Sequence, residues 1–152
     1  MLGMSEERTI YIHYGDDRFR KMDPIRNGFL TKPAGGLWAS RINDPGGWIS
    51  WCLSKEFCLY KLKDGFTFQL TDNAKVLELN DIKQLDDLPK LYPYNRDERM
   101  EECFLDFEEI AKEYDAIELT EEWKFHWALY GWDCNCIVIL NPDCVVNVQS
   151  IA

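Results

Sequence analysis

Short runs of alternating β-branched and aromatic residues, spread along the whole chain, restrict its fold more than any other feature. Thr9 to Tyr14 (TIYIHY) and Phe66 to Thr71 (FTFQLT) carry bulky side chains at every second position, the period of a strand. Lys75 to Leu79, Asp115 to Leu119 (DAIEL), Cys136 to Leu140 (CIVIL) and Val145 to Gln149 (VVNVQ) read as further strands. Leu37-Trp38-Ala39-Ser40 forms a short one after the Gly35-Gly36 pair. Turn residues punctuate these runs at Asp44-Pro45-Gly46-Gly47, Asp72-Asn73 and Asn141-Pro142-Asp143.

Helical spacing fills the remainder. From Gly47 to Phe57, Trp48, Trp51 and Cys52 fall on one helical face, and Asp81 to Leu88 reads as a short helix. From Glu98 to Lys112 the set Met100, Cys103, Phe104, Phe107, Ile110 and Ala111 follows the i, i+3, i+4, i+7 rule and predicts an amphipathic helix with a solvated glutamate face. Thr120 is placed to cap a helix carrying Trp123, His126, Trp127 and Tyr130 on one side, with the stripe assigned to the core. Pro24 favours a short helix or turn within Asp16 to Asn27, and Leu91 to Arg96 is irregular. About seven strands with about four helices predict an α+β fold, one domain spanning residues 1–152, without repeats or a linker.

Composition narrows the function classes. The chain is 46% hydrophobic and 14% aromatic, enough to rule out disorder as its general state. No apolar run reaches the roughly 18 residues of a membrane helix, and Met1 to Arg8 lack the layout of a signal peptide, so a cytoplasmic location without membrane contact is expected. With 17 basic and 27 acidic residues the net charge is -10, which disfavours nucleic-acid binding except to a nucleic acid held as a substrate. Cys52, Cys58, Cys103, Cys134, Cys136 and Cys144 include no C-x-x-C pair, so free buried thiols are expected and no metal site.

Four strings could carry chemistry: YIHYG with His13, GGLWAS, GWISWC, and the acidic and aromatic cluster of DAIEL with YGWDCNCIVILNP. Paired glycines let backbone approach a ligand closely. A histidine, a flat aromatic and a serine on neighbouring strands could hold a ribose and a planar ring, because aromatic faces stack on partly cationic rings. Chemistry at an anomeric carbon passes through an oxocarbenium-like state that a carboxylate stabilises. Glu118, Glu121, Glu122 and Asp133 are the candidates for that charge. The same residues also suit purely structural roles: core tryptophans in the helix, a solvated strand glutamate at Glu118, a turn-capping Asp133 and an inert Cys136 thiol.

The run from His13 to Cys52 resembles the donor loop and flanking strands of the ADP-ribosyltransferase fold, in the histidine–tyrosine–glutamate branch that includes the poly-ADP-ribose polymerases. YIHYG is similar to the family's His-Gly strand, GGLWAS to its glycine–tyrosine strand, GWISWC to the helix behind the pocket, and CIVILNPDCVV to the closing strand. The strings KP-GGLW-S, W-x-x-W-C and a late WD also resemble those of short phage and bacterial proteins. Residues 60 to 110 carry no likeness. The resemblance implies split, mostly antiparallel sheets, NAD as donor and a macromolecular acceptor.

It further implies NAD contacts at His13, Tyr14, Gly36, Trp38, Ser40, Trp48 and Trp51. His13 would bond a ribose or nearby backbone, Trp38 would take the ring-facing tyrosine position, Trp51 the second stacking position, and Ser40 would bond the carboxamide or ribose. Trp38 replaces the tyrosine, and Tyr14 follows His13 where the family has glycine. Cys136 stands where the catalytic glutamate would be, which leaves Glu118 or Asp133 for catalysis. Three functions follow: an ADP-ribosyltransferase, an inactive module of the same fold that binds NAD, ADP-ribose or a protein, and a protein-interaction domain with an acidic working surface.

Overall fold

The computed structural model describes residues 8–27, 31–56, 62–91, 104–125, 128–129 and 131–151. The strand-like runs form β1 (Tyr11–Tyr14), β2 (Leu37–Arg41), β3 (Gly65–Leu70), β4 (Val76–Leu79), β7 (Ala116–Leu119), β8 (Cys136–Ile139) and β9 (Val145–Ser150). They assemble into one sheet of order β4-β7-β8-β2-β1-β3-β9. Every neighbouring pair is antiparallel except β4 with β7. The fold is α+β, as the sequence pattern predicts, and mostly antiparallel, as the resemblance implies, but the seven strands form one sheet rather than the split sheets expected.

Burial explains why these sequences differ. Ile117, Leu119 and Val138 join a core cluster with Leu79, Phe107 and Trp132, whereas Ala116, Ile137 and Ile139 join another with Tyr11, Phe66 and Phe68. Because side chains alternate across a sheet, β7 and β8 are covered on both faces. That is why CIVIL runs apolar without a break, whereas in TIYIHY the first two strand residues, Tyr11 and Ile12, are buried and His13 and Tyr14 only partly so.

Helix α1 (Trp48–Lys55) follows the predicted turn. Its N-cap residue, Gly47, has no side chain to satisfy the first-turn donors. Ser40 of β2 supplies an acceptor instead: the Trp48 amide donates to its Oγ at 3.0 Å. The same hydroxyl donates to the Asn135 carbonyl at 3.1 Å, so one buried side chain joins β2, α1 and the start of β8.

Several expectations are corrected. The helix predicted from Glu98 falls partly outside the described residues. Within them, Phe104–Leu105 is instead strand β6, paired with β5 (Lys90–Leu91), and only α2 (Phe107–Ile110) is helical. Asp106 starts α2 by accepting from the Glu109 amide. The segment after Thr120 is a 3-10 turn, Glu122–Phe125, that buries Phe125 and leaves Trp123 70% exposed. Thr120 donates to Glu78 rather than capping. His126, Trp127 and Tyr130, like Cys58 and Cys103, lie outside the described residues. Asp81 to Leu88 is a 3-10 turn over Ile82–Asp87, and residues 16–27 hold no helix. The Asp72-Asn73 turn joins β3 and β4, which then go to different parts of the sheet.

Candidate functional site

A cleft opens where two central strands part company. β1 and β2 pair only at Tyr11↔Arg41 and Ile12↔Ser40. Beyond that point β1 continues against β3 to Tyr14↔Gly65, and β2 continues against β8 through Trp38↔Val138 to Leu37↔Ile139. Backbone groups at the parting need other partners. The His13 ring provides one: Nδ1 lies 2.6 Å from the Trp38 carbonyl oxygen. A carbonyl only accepts, so Nδ1 carries the proton and Nε2 of the neutral ring keeps its lone pair. Asp16 Oδ2 stands 3.9 Å from Nε2.

The cleft measures about 370 Å³ and is lined by residues from β1, β2, α1 and the segment that leads into β8. That lies within the range of small-ligand sites, about 300–1,000 Å³. His13, Tyr14, Trp38, Ser40, Trp48 and Asp133 all line it. Trp38 is held edge-on by Trp132 at 4.9 Å between centroids, and Trp132 is fixed in turn by its Nε1 donating to the Thr31 carbonyl at 2.8 Å. Trp48 stacks on Trp51 at 5.2 Å and 13°. Burial raises the Tyr14 phenol above its ordinary pKa, so it stays a hydrogen-bond donor at neutral pH.

Three expected residues are not on the cleft wall. Trp51 backs Trp48. Gly36 has φ +74°, and a Cβ there would lie 2.8 Å from the Ile139 carbonyl. Its smallness therefore serves the approach of β2 to β8. Glu118 is 5% exposed, against the expectation of a solvated strand residue. It accepts from Tyr11 Oη at 3.0 Å and from Arg41 Nε at 2.6 Å. Tyr11 pairs with Arg41 across β1 and β2, while Ser40 pairs with Ile12 one residue away. Alternation puts the Glu118 cluster and Ser40 on opposite sheet faces. Hydrogen bonding to Glu118 raises the Arg41 pKa, and burial, followed by the charge of Glu118, raises that of Tyr11.

The structure adds Lys32, Cys134 and Cys136 to the cleft wall. The Lys32 ammonium lies 4.7 Å from the centroid of the Trp38 ring. The neighbouring Cys134 thiol, together with burial, raises the Cys136 pKa well above the ordinary thiol value. A protonated thiol is a poor nucleophile. Asp133 is exposed beside them and is the cleft's carboxylate among the described lining residues. The KP-GGLW and WDC strings held the signal for these residues, but a charged loop lysine ordinarily reads as solvated.

The arrangement can receive a flat ring against indole, offer a ribose an imidazole lone pair and a phenol, and place a negative charge nearby. No family model, curated protein or solved structure matches the chain. Among the described residues, no helix is long and apolar enough to cross a membrane.

Proposed function

We propose that the cleft binds NAD and that the protein transfers ADP-ribose from it to a macromolecular acceptor, on an ADP-ribosyltransferase-like fold. The observation that carries this reading is the convergence of His13, Tyr14, Trp38, Trp48 and Asp133 on one opening between parting strands. Trp38 and Trp48 offer aromatic surface to the pyridinium ring. His13 Nε2 accepts from a ribose hydroxyl. The bond from the ribose anomeric carbon to the nicotinamide nitrogen breaks, and its electron pair leaves with neutral nicotinamide. Asp133 stabilises the cationic sugar until an acceptor lone pair forms the new bond and sheds its proton to solvent. Ser40 contributes by holding α1 in place, since its hydroxyl is engaged on both sides.

A second reading, binding without turnover, is favoured by two placements: Glu118 is locked in an ion pair on the far sheet face, and Cys136 is a protonated thiol. Release of labelled nicotinamide from NAD separates the two. The transferase reading expects release by the wild type and a fall of about a hundredfold in Asp133→Asn, the scale of losing one electrostatic contact to the transition state. Tight NAD binding with no release in either protein would establish the binding module.

A further inference from the structure

The Trp38 indole on the cleft wall already carries a cation. Lys32 Nζ lies 4.7 Å over Trp38, and both side chains line the cleft. Among the described residues no carboxylate stands within ion-pair distance of Lys32. Lys32 is exposed, and a lysine ammonium on its four-carbon stem can move without disturbing the backbone. Trp38, by contrast, is fixed by Trp132 behind it. The pair is therefore one rigid aromatic face and one movable charge.

Building on the NAD reading, we infer that Lys32 is a displaceable internal ligand of Trp38. The pyridinium ring of the oxidised nucleotide takes the place of the ammonium over the indole, and the released ammonium pairs with the nucleotide's diphosphate. One cation is exchanged for another, so the quadrupole of the ring stays satisfied throughout. A neutral ring, such as the dihydronicotinamide of the reduced nucleotide, gains no such attraction and must still expel the ammonium. The site thereby selects its ligand by ring charge, and Lys32 sets that selectivity.

Two fragments separate the two roles: 1-methylnicotinamide has the cationic ring without phosphate, and ADP-ribose has the diphosphate without the ring. Both are titrated into the full chain, as wild type, Lys32→Ala and Lys32→Arg, by ligand-observed NMR. Removing the competing ammonium is expected to tighten 1-methylnicotinamide about threefold in Lys32→Ala. The same substitution is expected to weaken ADP-ribose roughly tenfold, with recovery in Lys32→Arg. If 1-methylnicotinamide binds the wild type and its affinity is unchanged or weaker in Lys32→Ala, the inference fails while the NAD reading stands. If the wild type binds neither fragment, both fail together.

Discussion

Glu118 and Cys144 show how single buried groups tie the fold to pH and to their partners. Replacing Glu118 removes one partner of an ion pair whose carboxylate is buried while Arg41 is 42% exposed. Breaking a fully buried pair costs about 3–5 kcal/mol and an exposed one up to about 1 kcal/mol, so Glu118→Ala should lose about 2 kcal/mol. Urea unfolding measures that loss, and NAD affinity should hold. A variant as stable as the wild type that has lost turnover would instead make Glu118 catalytic. The Cys144 thiol is pushed up to about 11, first by burial and then by Asp115, from an ordinary value of 9.0. The folded state holds this proton more tightly than the unfolded chain. The corresponding stability is complete below about pH 9 and is lost as pH rises toward 11. Unfolding free energy should fall more steeply between pH 8.5 and 10.5 in the wild type than in Cys144→Ser. Equal slopes would mean the thiol is no more protonated folded than unfolded.

The elements are positioned by polar links that sequence pattern does not reveal. Ser40→Ala leaves the Trp48 amide and the Asn135 carbonyl without their shared partner. The expected cost is about 1–2 kcal/mol, with weaker NAD binding because Trp48 moves with α1. Thermal unfolding and an NAD titration check the two effects, and a stable variant with unchanged affinity would contradict the link. Strands were legible in the sequence because β1, β3, β7 and β8 each carry the period or the unbroken apolar run that their burial demands. The helix predicted through Phe104 was not, because Phe104 and Phe107 satisfy helical spacing while Asp106, between them, is the N-cap at which α2 begins. The site was legible in part. His13, Trp38 and Asp133 came from strings that the fold brings together. The face on which Glu118 lies depends on register among distant strands, and no local pattern encodes it. Lys32 became visible only beside Trp38.

At the scale of the molecule, the opening follows from topology. β2 lies at the centre of the sheet with β1 on one side and β8 on the other, and its pairing to β1 stops after two residues. A third cross-strand pair would put His13 opposite Ala39 and draw the strands together where the cleft now lies. The imidazole bond to the Trp38 carbonyl holds the strands at their divergence. Trp38 then presents its ring into the space so formed, backed by a core that includes Trp132 and Phe107. Nucleotide binding in the cleft therefore depends on that ring. Calorimetric titration of NAD into the wild type and into Trp38→Leu, which keeps apolar volume but lacks the aromatic face, tests this most directly. Saturable binding to the wild type, weakened about tenfold or more in Trp38→Leu while its folding remains cooperative, is the predicted result. No heat of binding to the wild type, or equal affinity in the two proteins, would contradict it.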